Sequence, residues 1–137
     1  FITGTSNAQK KWPLEHWIKL AGLFERNNYK IFLPWGSAKE YEECLAIYDQ
    51  TTNCEILEKM NIDQLAKKIA YARFAIGVDT GLTHLASSLD IPTIGIYTFS
   101  NPDLTGVKST KTPAFNMGSL SNIPLPEDIF KKFNDLA

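Results

Sequence analysis

Long apolar runs are missing from this 137-residue chain. None approaches the roughly 18 residues that a bilayer-spanning helix needs, so no membrane-spanning helix is expected. Cysteine is scarce too. Cys44 and Cys54 are the only two, they form no Cys-x-x-Cys, and no histidine stands nearby at metal spacing. That argues against a disulfide framework or a structural metal and fits reduced thiols in a cytosolic protein. There is no excess of one charge either: 14 Lys and Arg stand against 15 Asp and Glu, a formal net charge of -1. Such a balance leaves no electrostatic footprint for nucleic acid, so no nucleic-acid partner is expected. The chain also lacks an Asp-x-Asp pair, internal repeats and low-complexity tracts.

What remains is an ordinary globular composition, 44% hydrophobic and 21% charged. The length suits one domain that buries about two thirds of its unfolded surface without staples. The chain opens at Phe1, inside what reads as a strand, so it is expected to be a piece of a longer protein whose amino-terminal part is absent.

Strand and helix signals alternate along it. Phe1 to Thr5 reads as a short strand ending beside Gly4, and Ser6 to Lys11 as a polar loop. Pro13 is placed to open a helix running to about Arg26, with Leu14, Trp17, Ile18, Ala21 and Phe24 on one face. Tyr29 to Trp35 is the second strand. Ser37 and Glu40 have capping-box spacing ahead of a helix whose apolar stripe is Tyr41, Cys44, Leu45 and Tyr48. Cys54 to Leu57 gives a third strand. Asn61 and Gln64 open a further helix with Ile62, Leu65, Ala66 and Ile69 inward. Phe74 to Val78 and Pro92 to Thr98 are the fourth and fifth strands, residues 99 to 123 a long polar loop, and Pro126, Glu127 and Asp128 start a closing helix. This alternation predicts an α/β fold: a Rossmann-like parallel sheet with helices on both faces, forming one domain over residues 1–137.

The most informative stretch is Phe74 to Leu89. A buried strand feeds into Asp79-Thr80-Gly81, and Leu82, Leu85, Ala86 and Leu89 then recur at helical spacing. A helix must start near Thr80 or Gly81. Its first amides lack intrahelical partners and its dipole is positive there, so an anion is favoured, and Gly81 permits close approach to the backbone. His84 sits in the first turn. Asp79 or Thr80 acting as a plain cap, and His84 as a packing residue, are the simpler alternatives.

In such a sheet the loops that follow strands gather on one edge. Thr5, Ser6 and Lys10 follow the first strand, Glu40 the second, Met60 the third, and Asp79, Thr80, Gly81 and His84 the fourth. Hydroxyls, a lysine and helix-end amides suit a diphosphate, a carboxylate suits a ribose diol, and Met60 suits the surroundings of a base. Each residue also has a plainer explanation: turn formers for Thr5 and Ser6, a surface lysine for Lys10, the capping box for Glu40, core filling for Met60.

Taken together, Lys10-Lys11-Trp12-Pro13-Leu14-Glu15-His16-Trp17, Leu33-Pro34-Trp35-Gly36, Lys59-Met60 and Val78-Asp79-Thr80-Gly81-Leu82-Thr83-His84-Leu85 resemble the carboxyl-terminal domain of the lipopolysaccharide heptosyltransferases (glycosyltransferase family 9), and favour the type I branch. The resemblance covers about residues 1 to 105. It implies the donor-binding half of a GT-B glycosyltransferase, an inverting enzyme that moves L-glycero-D-manno-heptose from ADP-heptose to the Kdo of a lipid A precursor, with no metal or other cofactor. It implies that Thr5, Ser6 and Lys10 contact the diphosphate and donor, Lys10 with a catalytic part in stabilising the leaving ADP. Glu40 would then contact the ribose, Met60 the adenine surroundings, Asp79 the heptose, and Thr80, Gly81 and His84 the phosphates. The general base and acceptor site would lie in the absent amino-terminal domain, and the protein would work in the cytoplasm at the inner face of the inner membrane. Another GT-B sugar-nucleotide enzyme, including an epimerase, or a non-catalytic flavodoxin-like nucleotide-binding module are the alternatives. One departure stands out: family members often carry Gly-Pro-Thr-Asp-Pro after the last strand, where this chain has Thr98-Phe99-Ser100-Asn101-Pro102.

Overall fold

A computed structural model of the chain describes residues 1–98, 114–119 and 122–137. Five parallel strands and five helices are found among them: α1 (Leu14–Arg26), β1 (Ile31–Leu33), α2 (Ala38–Tyr48), β2 (Cys54–Ile56), α3 (Ile62–Ala70), β3 (Ala75–Val78), α4 (Gly81–Ser88), β4 (Thr93–Ile96), β5 (Ala114–Met117) and α5 (Pro126–Leu136). A 3-10 turn, Ala8–Lys10, precedes α1.

β1 pairs with β2, and β3, β4 and β5 pair in that order, every ladder parallel. The segment that joins the two groups is Phe1–Ile2. Ile2 bridges Gly77 of β3, donating to Ile76 O at 2.8 Å and accepting from Val78 N–H at 3.1 Å. Phe1 N donates to Phe32 O of β1 at 2.9 Å. The sheet therefore reads β2-β1-(Phe1–Ile2)-β3-β4-β5, and its order reverses between the leading segment and β3. In doubly wound folds, ligands bind beyond the carboxyl ends of the strands at that reversal.

Helices cover both faces, as the alternation requires. On one face Trp17, Leu20 and Phe24 of α1, Cys44 and Ile47 of α2, and Ile129 and Phe133 of α5 pack on Ile76, Val78, Ile94 and Ile96. Burying each large apolar side chain fully contributes roughly 1.5–3 kcal/mol, which makes this face the main source of stability. On the other face Ile69 of α3 and Ala86 of α4 meet Ile2, Ala75 and Ile91. Trp12 is buried as well, its indole N–H donating to Pro124 O at 2.9 Å. Trp12 and Trp17, two residues that carry the resemblance, are thus packing residues.

Several expectations need correction. The first strand shrinks to the bridge at Ile2, which pairs with β3, while the contact to β1 is the single bond from Phe1 N. Pro13 stands outside α1 as its N-cap residue, with extended ψ of 138. In α2 the buried face is Cys44 and Ile47, while Tyr41, Leu45 and Tyr48 are exposed; the helix is turned by part of a turn from its apolar stripe. Ile62 is exposed at the start of α3, and Leu14 at the start of α1. The long polar loop contains β5, which pairs with β4 over Thr93 to Ile96. By contrast the Asn61–Gln64 capping box forms as expected, with bonds of 2.9 and 3.0 Å. Phe99 to Pro102, the rest of the departure from the family pattern, lie outside the described residues.

Candidate functional site

The turn from β3 into α4 is built by two close contacts. Gly77 leaves no room for a side chain: a Cβ there would lie 2.3 Å from Thr83 Oγ1 and 2.8 Å from Ile2 Cβ. Thr83, fully buried, donates its hydroxyl to Val78 O at 2.7 Å, tying the first turn of α4 to the last residue of β3. Thr80 is the N-cap residue in extended conformation, and its side chain makes no capping bond. Gly81 is exposed, and a Cβ built on it would meet nothing within 4 Å. The start of α4 is accordingly open to an approaching group, with the first-turn amides and the dipole behind it.

Beside that helix start, three predicted residues come together. Asp79 is buried, 6% exposed, and lies between two nitrogen donors. His84 Nε2 is 3.2 Å from its Oδ1 and Lys10 Nζ is 3.4 Å from its Oδ2. Toward a carboxylate oxygen the imidazole acts as donor, so Nε2 carries the hydrogen. The pairing restrains both nitrogen side chains at the helix start while each remains partly exposed, at 39% and 31%. A buried carboxylate between two exposed donors is an arrangement that holds donors ready for an incoming anion.

The other predicted residues are placed less uniformly. Glu40, half-buried, turns away from the reciprocal capping-box bond: Ser37 Oγ accepts from Glu40 N–H at 3.2 Å, but Glu40 Oε1 accepts from Gly36 N–H at 3.0 Å. Its carboxyl packs on Gly4, where a Cβ would lie 2.6 Å from Cδ. Glu40 thereby sits at the carboxyl end of the leading segment, on the predicted edge. Thr5 Oγ1 accepts from Asn7 N–H at 3.3 Å in the turn that leads to Lys10. Ser6 is exposed and Met60 half-buried, and no hydrogen bond or ion pair among the described residues links either to the cluster.

Gly4, Thr83 and Thr98 were missed from sequence. Thr98, two residues beyond β4, is buried, and its hydroxyl donates to Gln9 O at 2.8 Å, with Lys11 O at 3.4 Å. The available signals were a glycine just before a polar loop and single hydroxyls in otherwise apolar stretches.

Other chemistry is disfavoured elsewhere in the molecule. Burial pushes the Cys44 thiol up to about 11 and raises that of Cys54, so neither is a ready nucleophile. A groove of about 900 Å³ runs past Tyr41, Leu45 and Tyr48 of α2 and Cys54 to Ile56 of β2, but none of its lining residues is a predicted site residue. The cluster itself lies on an open face, as one wall of a cleft would.

Known proteins share this sequence pattern and fold. The glycosyltransferase family 9 (heptosyltransferase) model matches residues 1–125. Lipopolysaccharide heptosyltransferase 1 of Escherichia coli K12 is 39% identical over 106 residues, covering 77% of this chain and 33% of that protein. Its namesake in Pseudomonas aeruginosa PAO1 is 38% identical, over 77% of this chain and 30% of that protein. The chain thus spans about a third of the curated relatives it matches. Among solved structures, E. coli heptosyltransferase WaaC with ADP superposes with a TM-score of 0.91 at 32% identity, over 100% of this chain and 43% of that one. E. coli ADP-heptose lps heptosyltransferase II gives 0.86 at 28%, over 99% and 45%. With the family model spanning nearly the whole chain, and with a parallel sheet that brings Lys10, Asp79 and His84 together at a helix start, the chain belongs to glycosyltransferase family 9, the heptosyltransferases.

Proposed function

We propose that this chain is the donor-binding half of a GT-B heptosyltransferase and that it holds ADP-heptose at the open edge described above. The observation that carries the reading is the Asp79 carboxylate restraining Lys10 and His84 beside the uncapped start of α4. A diphosphate there meets two cationic or hydrogen-bond-donating side chains and the first-turn amides, and the exposed backbone at Gly81 admits it closely. Glu40, held on Gly4 and Gly36, faces the ribose diol, and Met60 flanks the adenine. Thr5 and Ser6 contribute hydroxyls in the loop that carries Lys10. The WaaC structures with ADP and with ADP-2-deoxy-2-fluoro heptose support an adenosine diphosphate sugar as the donor class.

The reaction is an inverting displacement. A base in the amino-terminal half takes the proton of an acceptor hydroxyl, the oxygen bonds to the anomeric carbon from the face opposite the diphosphate, and the bond from that carbon to phosphate oxygen breaks. The electron pair leaves on ADP, whose charge Lys10 and the amides near Gly81 stabilise. With donors of this kind in place no metal is called for. The relatives named lipopolysaccharide heptosyltransferase 1 support a heptose as the sugar and lipopolysaccharide as the product class; within that class we take L-glycero-D-manno-heptose as the sugar and the Kdo of a lipid A precursor as the acceptor, at the cytoplasmic face of the inner membrane.

Calorimetric titration of the chain with ADP, ADP-heptose, UDP and flavin mononucleotide tests the reading. ADP and ADP-heptose bind, UDP binds more weakly, and the flavin does not bind. Preference for the flavin over ADP would overturn it. Heptosyl transfer to a Kdo-lipid acceptor by this chain alone would overturn the placement of the base in the other half.

A further inference from the structure

The lysine of the cluster is carried on a loop with little structure of its own. Its 3-10 turn spans three residues, Ala8–Lys10, with no buried side chain, and its internal ties are local: Asn7 Oδ1 accepts from Gln9 N–H at 2.9 Å, Lys10 N–H donates to Asn7 O at 3.0 Å and Lys11 N–H to Ala8 O at 3.3 Å. A turn this short does not fix a flexible side chain beyond it. Two longer-range contacts do hold the loop. Lys11 pairs with Glu43 of α2, and Thr98, just beyond β4, donates its hydroxyl to Gln9 O, with Lys11 O close by. The second contact brackets Lys10 from both sides, since the two carbonyls belong to its immediate neighbours.

We propose that Thr98 is a positioning residue for donor binding, its hydroxyl clamping the Lys10 loop onto the strand edge so that the ammonium group stays beside Asp79. The clamp is buried while the loop it holds is partly exposed, so removing the hydroxyl leaves a main-chain oxygen without its donor and releases the backbone on either side of Lys10. The inference rests on the proposed function, because it takes the anion beside Lys10 to be the diphosphate of the donor.

Thr98→Val keeps the shape and loses the donor, Thr98→Ser keeps the donor, and Lys10→Ala removes the group that the clamp acts through. ADP and adenosine are titrated into each folded variant, and amide exchange of Gln9 to Lys11 is followed without ligand. Thr98→Val is expected to weaken ADP about fivefold to tenfold, leave adenosine within twofold, and speed exchange at Gln9 to Lys11, with Thr98→Ser restoring all three. In the Lys10→Ala background Thr98→Val should add no further loss of ADP affinity. The proposal is overturned if exchange and ADP affinity stay unchanged in Thr98→Val, or if adenosine weakens as much as ADP. An equal loss in the Lys10→Ala background overturns it too, because a general distortion of the edge has that effect. Failure of the unsubstituted chain to bind ADP is seen before any substitution and overturns the proposed function together with this deduction.

Discussion

Gly4→Ala reaches Glu40 without touching it. The added methyl would sit 2.6 Å from Glu40 Cδ and 2.7 Å from Oε1, closer than atoms tolerate, and what must yield is the end of a flexible side chain. The carboxylate therefore swings off Gly36 N–H, its partner at 3.0 Å. Losing that bond costs about 0.5–1.5 kcal/mol, and replacing a glycine returns about 0.4–1 kcal/mol through the unfolded chain where the conformation permits. Net stability should stay within about 1 kcal/mol of the parent. Binding should respond much more. A hydrogen bond to a charged group contributes about 1.5–3 kcal/mol, so displacing the carboxylate from a ribose diol should weaken ADP by roughly tenfold or more. Calorimetry with ADP and 2′-deoxy-ADP, alongside thermal unfolding, separates the two effects. Gly4→Ala should lose ADP affinity and its preference for the intact diol together, and Glu40→Gln should do the same. A folded Gly4→Ala protein that binds ADP as before and still discriminates against the deoxy compound refutes the ribose role of Glu40.

Gly81→Val places a branched side chain in the open space at the start of α4, so it should weaken ADP strongly and adenosine little while folding is kept; equal losses for both ligands would point to a distorted turn. His84→Ala should cost ADP affinity roughly 1.5–3 kcal/mol, the scale of a charge-assisted hydrogen bond, and intact ADP affinity in a folded variant would make His84 a packing residue. Cys44 should resist alkylation by iodoacetamide at pH 8 in the native protein and react promptly in urea, since burial holds its thiol near 11; rapid native labelling would contradict that placement.

The turn at Asp79 was legible because three local signals agree there: an apolar strand, a glycine, and a helical repeat that starts immediately after. The same holds for α3, whose Asn61 and Gln64 cap each other as their spacing required. β5 was not legible. Ala114 and Asn116 disfavour a strand and Phe115 alone favours one, so the state of the segment is decided by pairing with β4, a contact that local pattern does not encode. The α2 face was misjudged for a related reason, as Tyr41, Leu45 and Tyr48 satisfy the helical period but Cys44 and Ile47 meet the core. Of the site, the ionisable residues could be named from the strand-end rule, whereas Gly4 and Thr98 act through space on Glu40 and on the Lys10 loop, partners that their own surroundings in the sequence do not name.

The middle of the sheet is also its shortest piece. Ile2 alone joins β3 to the rest, and its partner Gly77 lies some 75 residues further along the chain. Closing so long a loop is entropically costly and contacts of this separation form slowly. The β1-β2 pair, with α2 between its strands, and the β3-β4-β5 group can each assemble from nearer neighbours, so across the sheet the hydrogen bonds that unite them come from two residues, backed by the helical core on one face. Lys10 and Glu40 belong to the part before that seam, and Asp79 and His84 to the part after it. A polypeptide in which both halves are formed but not yet stitched together has every residue of the site and no site.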